Sequence, residues 1–276
     1  MNAEFEQPPE PADVRRRLRR GIYIIPTLMT MLNIFFGFRC MLSSTRAVAA
    51  IANGRNDLAV QLFETGCISL FIAAVFDTFD GLIARALNAA TEFGKEYDSI
   101  ADVVTFGAAP AVLVYCWGLR QFGFGGAIAF IFLVAVSLRL ARFNVMSGKT
   151  DYRYFVGLPS PAGALTLAAI IYYAPSPVTS ERFAMVMVVV TVAVAFSMVS
   201  PIRYRSQKGL YLKKERSLMT FVAIGLIIAV AFWRTREFLF VGAICYLASG
   251  PLARLWAIAF PSRKPADDVL TPAEGH

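Results

Sequence analysis

Apolar residues in this chain do not alternate with polar ones. They gather into long runs separated by short polar linkers. The runs lie near 24–43, 59–77, 99–118, 123–143, 159–175, 183–201, 217–233 and 238–258. A helix of about twenty residues rises about 30 Å, the thickness of a bilayer's hydrocarbon core, so each run predicts a spanning helix. Pro26, Pro159, Pro175 and Pro201 punctuate the ends, and Pro159 with Pro161 crowds the start of the fifth run. The expected fold is an all-α integral membrane protein of about eight transmembrane helices. A basic arm at 1–20 precedes the transmembrane domain at 21–260, which must carry any catalysis, and a polar tail follows at 261–276.

Composition agrees with lipid as the solvent. Hydrophobic residues make up 57% of the chain and charged residues 17%, with a mean hydropathy of +0.57, too little charge for a water-soluble domain. The formal net charge of +8 does not point to nucleic acid, because apolar runs separate the basic residues and no aromatic–basic strip joins them. Anionic lipid headgroups are the expected partner. Glu4, Glu6, Glu10 and Asp13 argue against a cleaved signal peptide, and Arg15, Arg16, Arg17, Arg19 and Arg20 suit a membrane surface. With eight spans, twenty Lys and Arg fall on the side of both termini and the even-numbered linkers, against seven opposite. That side is expected to be cytoplasmic.

Cysteine and histidine offer little chemistry. Cys40, Cys67, Cys116 and Cys245 form no CxxC pair and read as packing residues, and the one histidine is His276. Catalysis and metal binding therefore fall to carboxylates.

Four carboxylates stand at helical spacing. Asp77 and Asp80 (i, i+3) share a face at the end of the second span, and Asp98 and Asp102 (i, i+4) share one at the start of the third. A short linker makes these spans antiparallel neighbours, so the two pairs can face each other. Any one of these aspartates alone reads as a helix-end charge, whereas four together repel and resist desolvation. Hard divalent cations relieve that repulsion, and oxygen-only ligands favour magnesium, manganese or calcium over zinc. Gly81 and Ala84 keep the neighbouring face small, Arg85 offers a fork suited to phosphate, and Thr91 adds a hydroxyl.

The run Asp77-x2-Asp80-Gly81-x2-Ala84-Arg85-x8-Gly94-x3-Asp98-x3-Asp102 resembles throughout the signature of the CDP-alcohol phosphatidyltransferases. The resemblance implies that family's helical bundle, that Asp77, Asp80, Asp98 and Asp102 hold Mg2+ or Mn2+ as two ions, and that Asp102 is also the general base. It further implies that Gly81, Arg85 and Thr91 touch the CDP-lipid, and that the protein is a homodimer. Thr27 and Thr30 on the first span are candidate neighbours of the same ligand. This chain has Pro26-Thr27, followed by Thr30 and Asn33, where the family often has Pro-Asn or Pro-Asp; Thr27 can still cap a helix there.

Flanking segments narrow the acceptor. Asp98 to Pro110, Leu138 to Asn144, Gly157 to Ala162 and Ser200 to Tyr204 are similar to the corresponding stretches of bacterial and archaeal phosphatidylserine synthases. That likeness implies transfer of the phosphatidyl group from CDP-diacylglycerol to L-serine with release of CMP, at a bacterial inner membrane. Arg139 and Arg142 suit a serine carboxylate or a lipid phosphate, and equally suit the positive-inside bias. Asn144 fits a substrate contact or a helix end, and the basic stretch from Arg203 to Arg216 fits an anionic-lipid patch. Two alternatives stay open: the same chemistry on glycerol 3-phosphate, inositol phosphate or choline, and a divalent-metal transporter built on the same acids.

Overall fold

Lipid cannot hydrogen-bond a backbone, so the chain satisfies its amides within helices. The computed structural model describes residues 11–86, 91–146, 154–200, 203–205 and 234–259. The helices are α1 (Pro11–Ala52), α2 (Asn56–Ala86), α3 (Glu92–Asp102), α4 (Ala109–Trp117), α5 (Gly125–Met146), α6 (Ser160–Tyr173), α7 (Glu181–Val199) and α8 (Thr235–Ala259). A π-helical segment, Val103–Ala108, joins α3 to α4.

Among the described residues five stretches are long and apolar enough to cross a membrane: Pro26–Ala52, Asn56–Ile83, Glu92–Trp117, Gly125–Val145 and Glu181–Val199. The all-α membrane class holds, but the count of eight does not carry over. The fifth expected span is α6, whose 14 residues extend only about 21 Å, short of the hydrocarbon thickness. The eighth is helical as α8 but is not among the five, and the seventh, 217–233, lies outside the described residues. So do 1–10, 206–216 and the tail at 261–276.

The hairpin of α1 and α2 is the platform for the rest. Asn53 to Arg55 turn the chain, with Gly54 at φ 70°, a backbone state that glycine adopts without a Cβ penalty. Small residues then let the two helices approach. Cys40, Ser44, Ala47, Ala59 and Cys67 are all fully buried, and the Ser43 hydroxyl donates to the Leu62 carbonyl at 2.7 Å. Close packing and such hydrogen bonds hold helices together where lipid supplies no hydrophobic drive. Three cysteines thus serve packing as expected, whereas Cys245 is exposed on α8 and does not. On the outer face of α1, Leu28, Met31, Phe35, Phe38 and Leu42 are exposed at three- and four-residue spacing, a stripe suited to acyl chains.

Two cross-links close the bundle. Arg236 of α8 donates to Glu64 of α2 at 2.6 Å and lies 5.1 Å from the ring centre of Tyr172 on α6. Strand β1 (Tyr154–Val156) pairs antiparallel with β2 (Arg203–Arg205). This short ladder, absent from the hydropathy reading, joins the linker after α5 to the linker after α7. Both linkers therefore lie on one side of the bundle.

Candidate active site

Three of the four aspartates meet. Asp77 from α2 and Asp98 and Asp102 from α3 each offer a carboxylate oxygen, and these oxygens all lie within 4.8 Å of one another. Asp80 is outside this triad. It is nearly fully buried, and its Oδ2 lies 3.2 Å from the Thr30 hydroxyl of α1, which is also 3.1 Å from the Pro26 carbonyl. One hydroxyl proton can serve only one of these acceptors at a time.

The site is deeper than the sequence suggests. α2 runs six residues past Asp80 to Ala86, and α3 begins six residues before Asp98 at Glu92, so the outer aspartates sit about 9 Å inside the helix ends. Asp77 and Asp102 lie about a turn deeper still. Side-chain oxygens buried at this depth need partners, yet Asp98 Oδ1 and Asp102 Oδ1 have none within the protein. Converging hard oxygens with unused lone pairs fit a divalent cation of the magnesium or manganese kind. Without one, the negative charges of the triad would oppose each other across less than 5 Å.

The π segment fixes how α3 is presented. Its widened turn closes with the Ala109 amide on the Val104 carbonyl, and it is pinned on two sides. Thr105 donates to the Asn33 carbonyl at 3.2 Å, while a Cβ on Gly37 would fall 2.7 Å from Thr105 Oγ1 and one on Gly107 would fall 2.9 Å from Leu133 Cδ1. Only glycine admits both contacts without displacement.

The remaining expected residues separate clearly. Thr91 is the N-cap of α3, exposed, with its hydroxyl accepting the Gly94 amide at 2.9 Å; the signature glycine at 94 sits where a Cβ would come within 3.0 Å of that oxygen. Thr27 lies inside α1, not at its start, because the helix continues upstream of Pro26 to Pro11; the expected cap is therefore absent. Gly81 is half-buried one residue beyond Asp80, and Arg85 is in the last turn of α2, its side chain outside the described set.

Arg139 and Arg142 part company. Arg139 is 9% exposed, donates through Nη1 to Ser160 Oγ at 3.0 Å, lies within electrostatic reach of Asp102, and has an unpartnered Nε. Arg142 is exposed. Asn144 donates to Ser99 Oγ at 2.9 Å, and that hydroxyl donates to the Lys95 carbonyl, so α5 is tied to α3 beside Asp98.

Ser160 and Ser99 were not singled out by the sequence, since a lone serine carries no spacing signal. Ser160 is delivered by a special turn. Gly157 has φ 84°, and a Cβ there would meet the Met198 carbonyl, so the chain enters α6 past α7 at a position only glycine can occupy. An apolar cavity of about 630 Å³ lined by Ile68, Phe71, Val75, Phe79, Tyr172 and Leu239 lies on another face of α2, apart from the acidic cluster.

Residues 23–199 match the family model of CDP-alcohol phosphatidyltransferases. The chain belongs to the CDP-alcohol phosphatidyltransferase family. Within that family it is similar to a CDP-diacylglycerol–serine O-phosphatidyltransferase of Helicobacter pylori, 29% identical over 235 residues that cover 83% of this chain and 90% of that protein. A protein of the same description from Methanocaldococcus jannaschii is 32% identical over 187 residues, 67% of this chain and 75% of the relative. An archaetidylserine synthase of Methanothermobacter thermautotrophicus is 31% identical over 188 residues, covering 67% and 71%. The matched residues include every aspartate of this phosphatidyltransferase's cluster.

Proposed function

We propose that this membrane phosphatidyltransferase joins CDP-diacylglycerol to L-serine, giving phosphatidylserine and CMP. The observation that carries the reading is the half-buried triad of Asp77, Asp98 and Asp102, whose oxygens lie within 4.8 Å in a member of this family. The choice of serine is supported by relatives named for serine transfer in both bacteria and archaea.

Asp77, Asp98 and Asp102, with Asp80 beside them, would hold Mg2+ or Mn2+, two ions in this reading. When bound, such cations would supply charge neutralisation for the pyrophosphate and the departing CMP. Asp102 accepts the proton of the serine hydroxyl as its oxygen attacks the phosphatidyl phosphorus. A new P–O bond forms to serine while the bond to the CMP oxygen breaks. Gly81, Arg85, Thr91, Thr27 and Thr30 line the approach of the CDP-lipid, with Thr30 acting through Asp80. Arg139 receives the serine carboxylate on its Nε edge, Ser160 holding the opposite side of the fork. Arg142 serves the anionic surface, and Asn144 acts through Ser99 to hold α3. The acyl chains remain in the bilayer of a bacterial inner membrane, the active site faces the cytoplasm, and the protein works as a homodimer.

Radiolabelled serine incorporation by the purified protein tests this reading. Expected is lipid-soluble label that requires both CDP-diacylglycerol and a divalent cation, with CMP formed in equal amount. Turnover with glycerol 3-phosphate and none with serine would overturn the acceptor. Metal flux in liposomes without CMP release would overturn the enzyme.

A further inference from the structure

Among the described residues, Asn33 on α1 is fully buried, and neither Nδ2 nor Oδ1 has a hydrogen-bond partner within the protein. A buried carboxamide with no partner is destabilising, because each polar group loses its hydrogen bonds to water and gains none in return. Lipid-facing spans have ample apolar residues for such a place, so the position needs a physical reason.

Helix register supplies it. α1 and α2 run antiparallel, with Thr30 lying opposite Asp80 at hydrogen-bonding distance. Three residues onward along α1 is Asn33, and three residues back along α2 is Asp77, so the second pair faces one turn below the first. The stacked rings of Phe36 and Phe76, 5.5 Å apart, continue the same alignment. From the other side, the Asn33 carbonyl accepts from Thr105, one turn beyond Asp102. Asn33 therefore lies at the level of the two deepest aspartates, beside which Asp98 Oδ1 and Asp102 Oδ1 also lack partners.

We infer that Asn33 is a further ligand of the metal centre, giving its Oδ1 to a divalent cation held by Asp77, Asp98 and Asp102. Amide oxygens are ordinary ligands for hard divalent ions. Four carboxylates balance the charge of two such ions, so a neutral oxygen completes the set where a fifth carboxylate would leave excess negative charge in a low-dielectric site. The inference rests on the metal-dependent reading above.

Mn2+ binding to the purified full-length protein, followed by the electron paramagnetic resonance signal of free Mn2+, tests it without turnover. Asn33→Leu should bind Mn2+ at least about tenfold more weakly, while its thermal midpoint without metal stays equal or rises, because leucine removes the unpaired groups. Asn33→Ala serves as the second variant should leucine not fit. Asn33→Asp, which keeps an oxygen but adds negative charge, should retain Mn2+ binding and lower the thermal midpoint without metal. Wild-type affinity in folded Asn33→Leu or Asn33→Ala would overturn the inference. Absence of Mn2+ binding by the wild type, or normal binding by Asp98→Asn, would instead sink the metal reading and this inference with it.

Discussion

Replacing Arg139 should separate acceptor recognition from the other functions proposed for the site. Its guanidinium has five donors; Nη1 is engaged by Ser160 at 3.0 Å, and the buried Nε is unpartnered. A carboxylate docked on the Nε edge would gain a charge-assisted contact, for which about 1.5–3 kcal/mol is typical. At 1.4 kcal/mol per decade, Arg139→Gln should raise the serine KM by about 10- to 150-fold. Arg139→Lys should recover little of this, because an ammonium keeps the charge but not the fork. The KM for CDP-diacylglycerol should stay within about threefold if the guanidinium acts on the acceptor alone. Ethanolamine, which lacks the carboxylate, supplies the control: the wild type should prefer serine to ethanolamine, and that preference should collapse in both variants. Equal losses toward serine and CDP-diacylglycerol, or an unchanged preference, would refute this account of Arg139.

Three other outcomes follow from the same geometry. Asp102→Asn should lower kcat by about 10²–10⁴-fold with CDP-lipid binding largely kept, whereas Asp77→Asn should weaken metal and CDP-lipid binding together; calorimetry beside turnover distinguishes the two. Gly157→Ala should destabilise the protein by at least about 1 kcal/mol from its backbone angle alone, and should raise the serine KM by displacing Ser160; a thermal melt and serine kinetics check both. EDTA should abolish serine incorporation, and added Mg2+ or Mn2+ should restore it; activity that survives chelation would remove the metal from the mechanism.

Hydropathy made the long spans legible because lipid imposes its pattern directly on residues such as Leu28 to Leu42 and Glu181 to Val199. The aspartate constellation was legible because its spacing matches helical periodicity and a family signature. Other features depend on tertiary contact and leave no local trace. Asp80 stands outside the triad and lies instead against Thr30, fifty residues away. The third span is made of α3, a π turn and α4, with Gly37 and Leu133 packed close against the turn, although its apolar run is continuous. Thr91 stands out by its position in the signature, but that its hydroxyl caps α3 shows only in the structure. The short ladder of β1 and β2 joins residues about fifty apart that no periodicity links.

The π turn between Asp102 and Ala109 has a consequence for the phase of the third span. One added residue per turn rotates everything downstream by about 100° relative to an unbroken α-helix. The acidic face of α3 and the packed face of α4, with Leu113, Val114 and Trp117 buried, can therefore point in directions that a single straight helix would not reconcile. Shortening Val103–Ala108 by one residue would leave the hydropathy profile intact while setting chemistry and packing out of phase with each other.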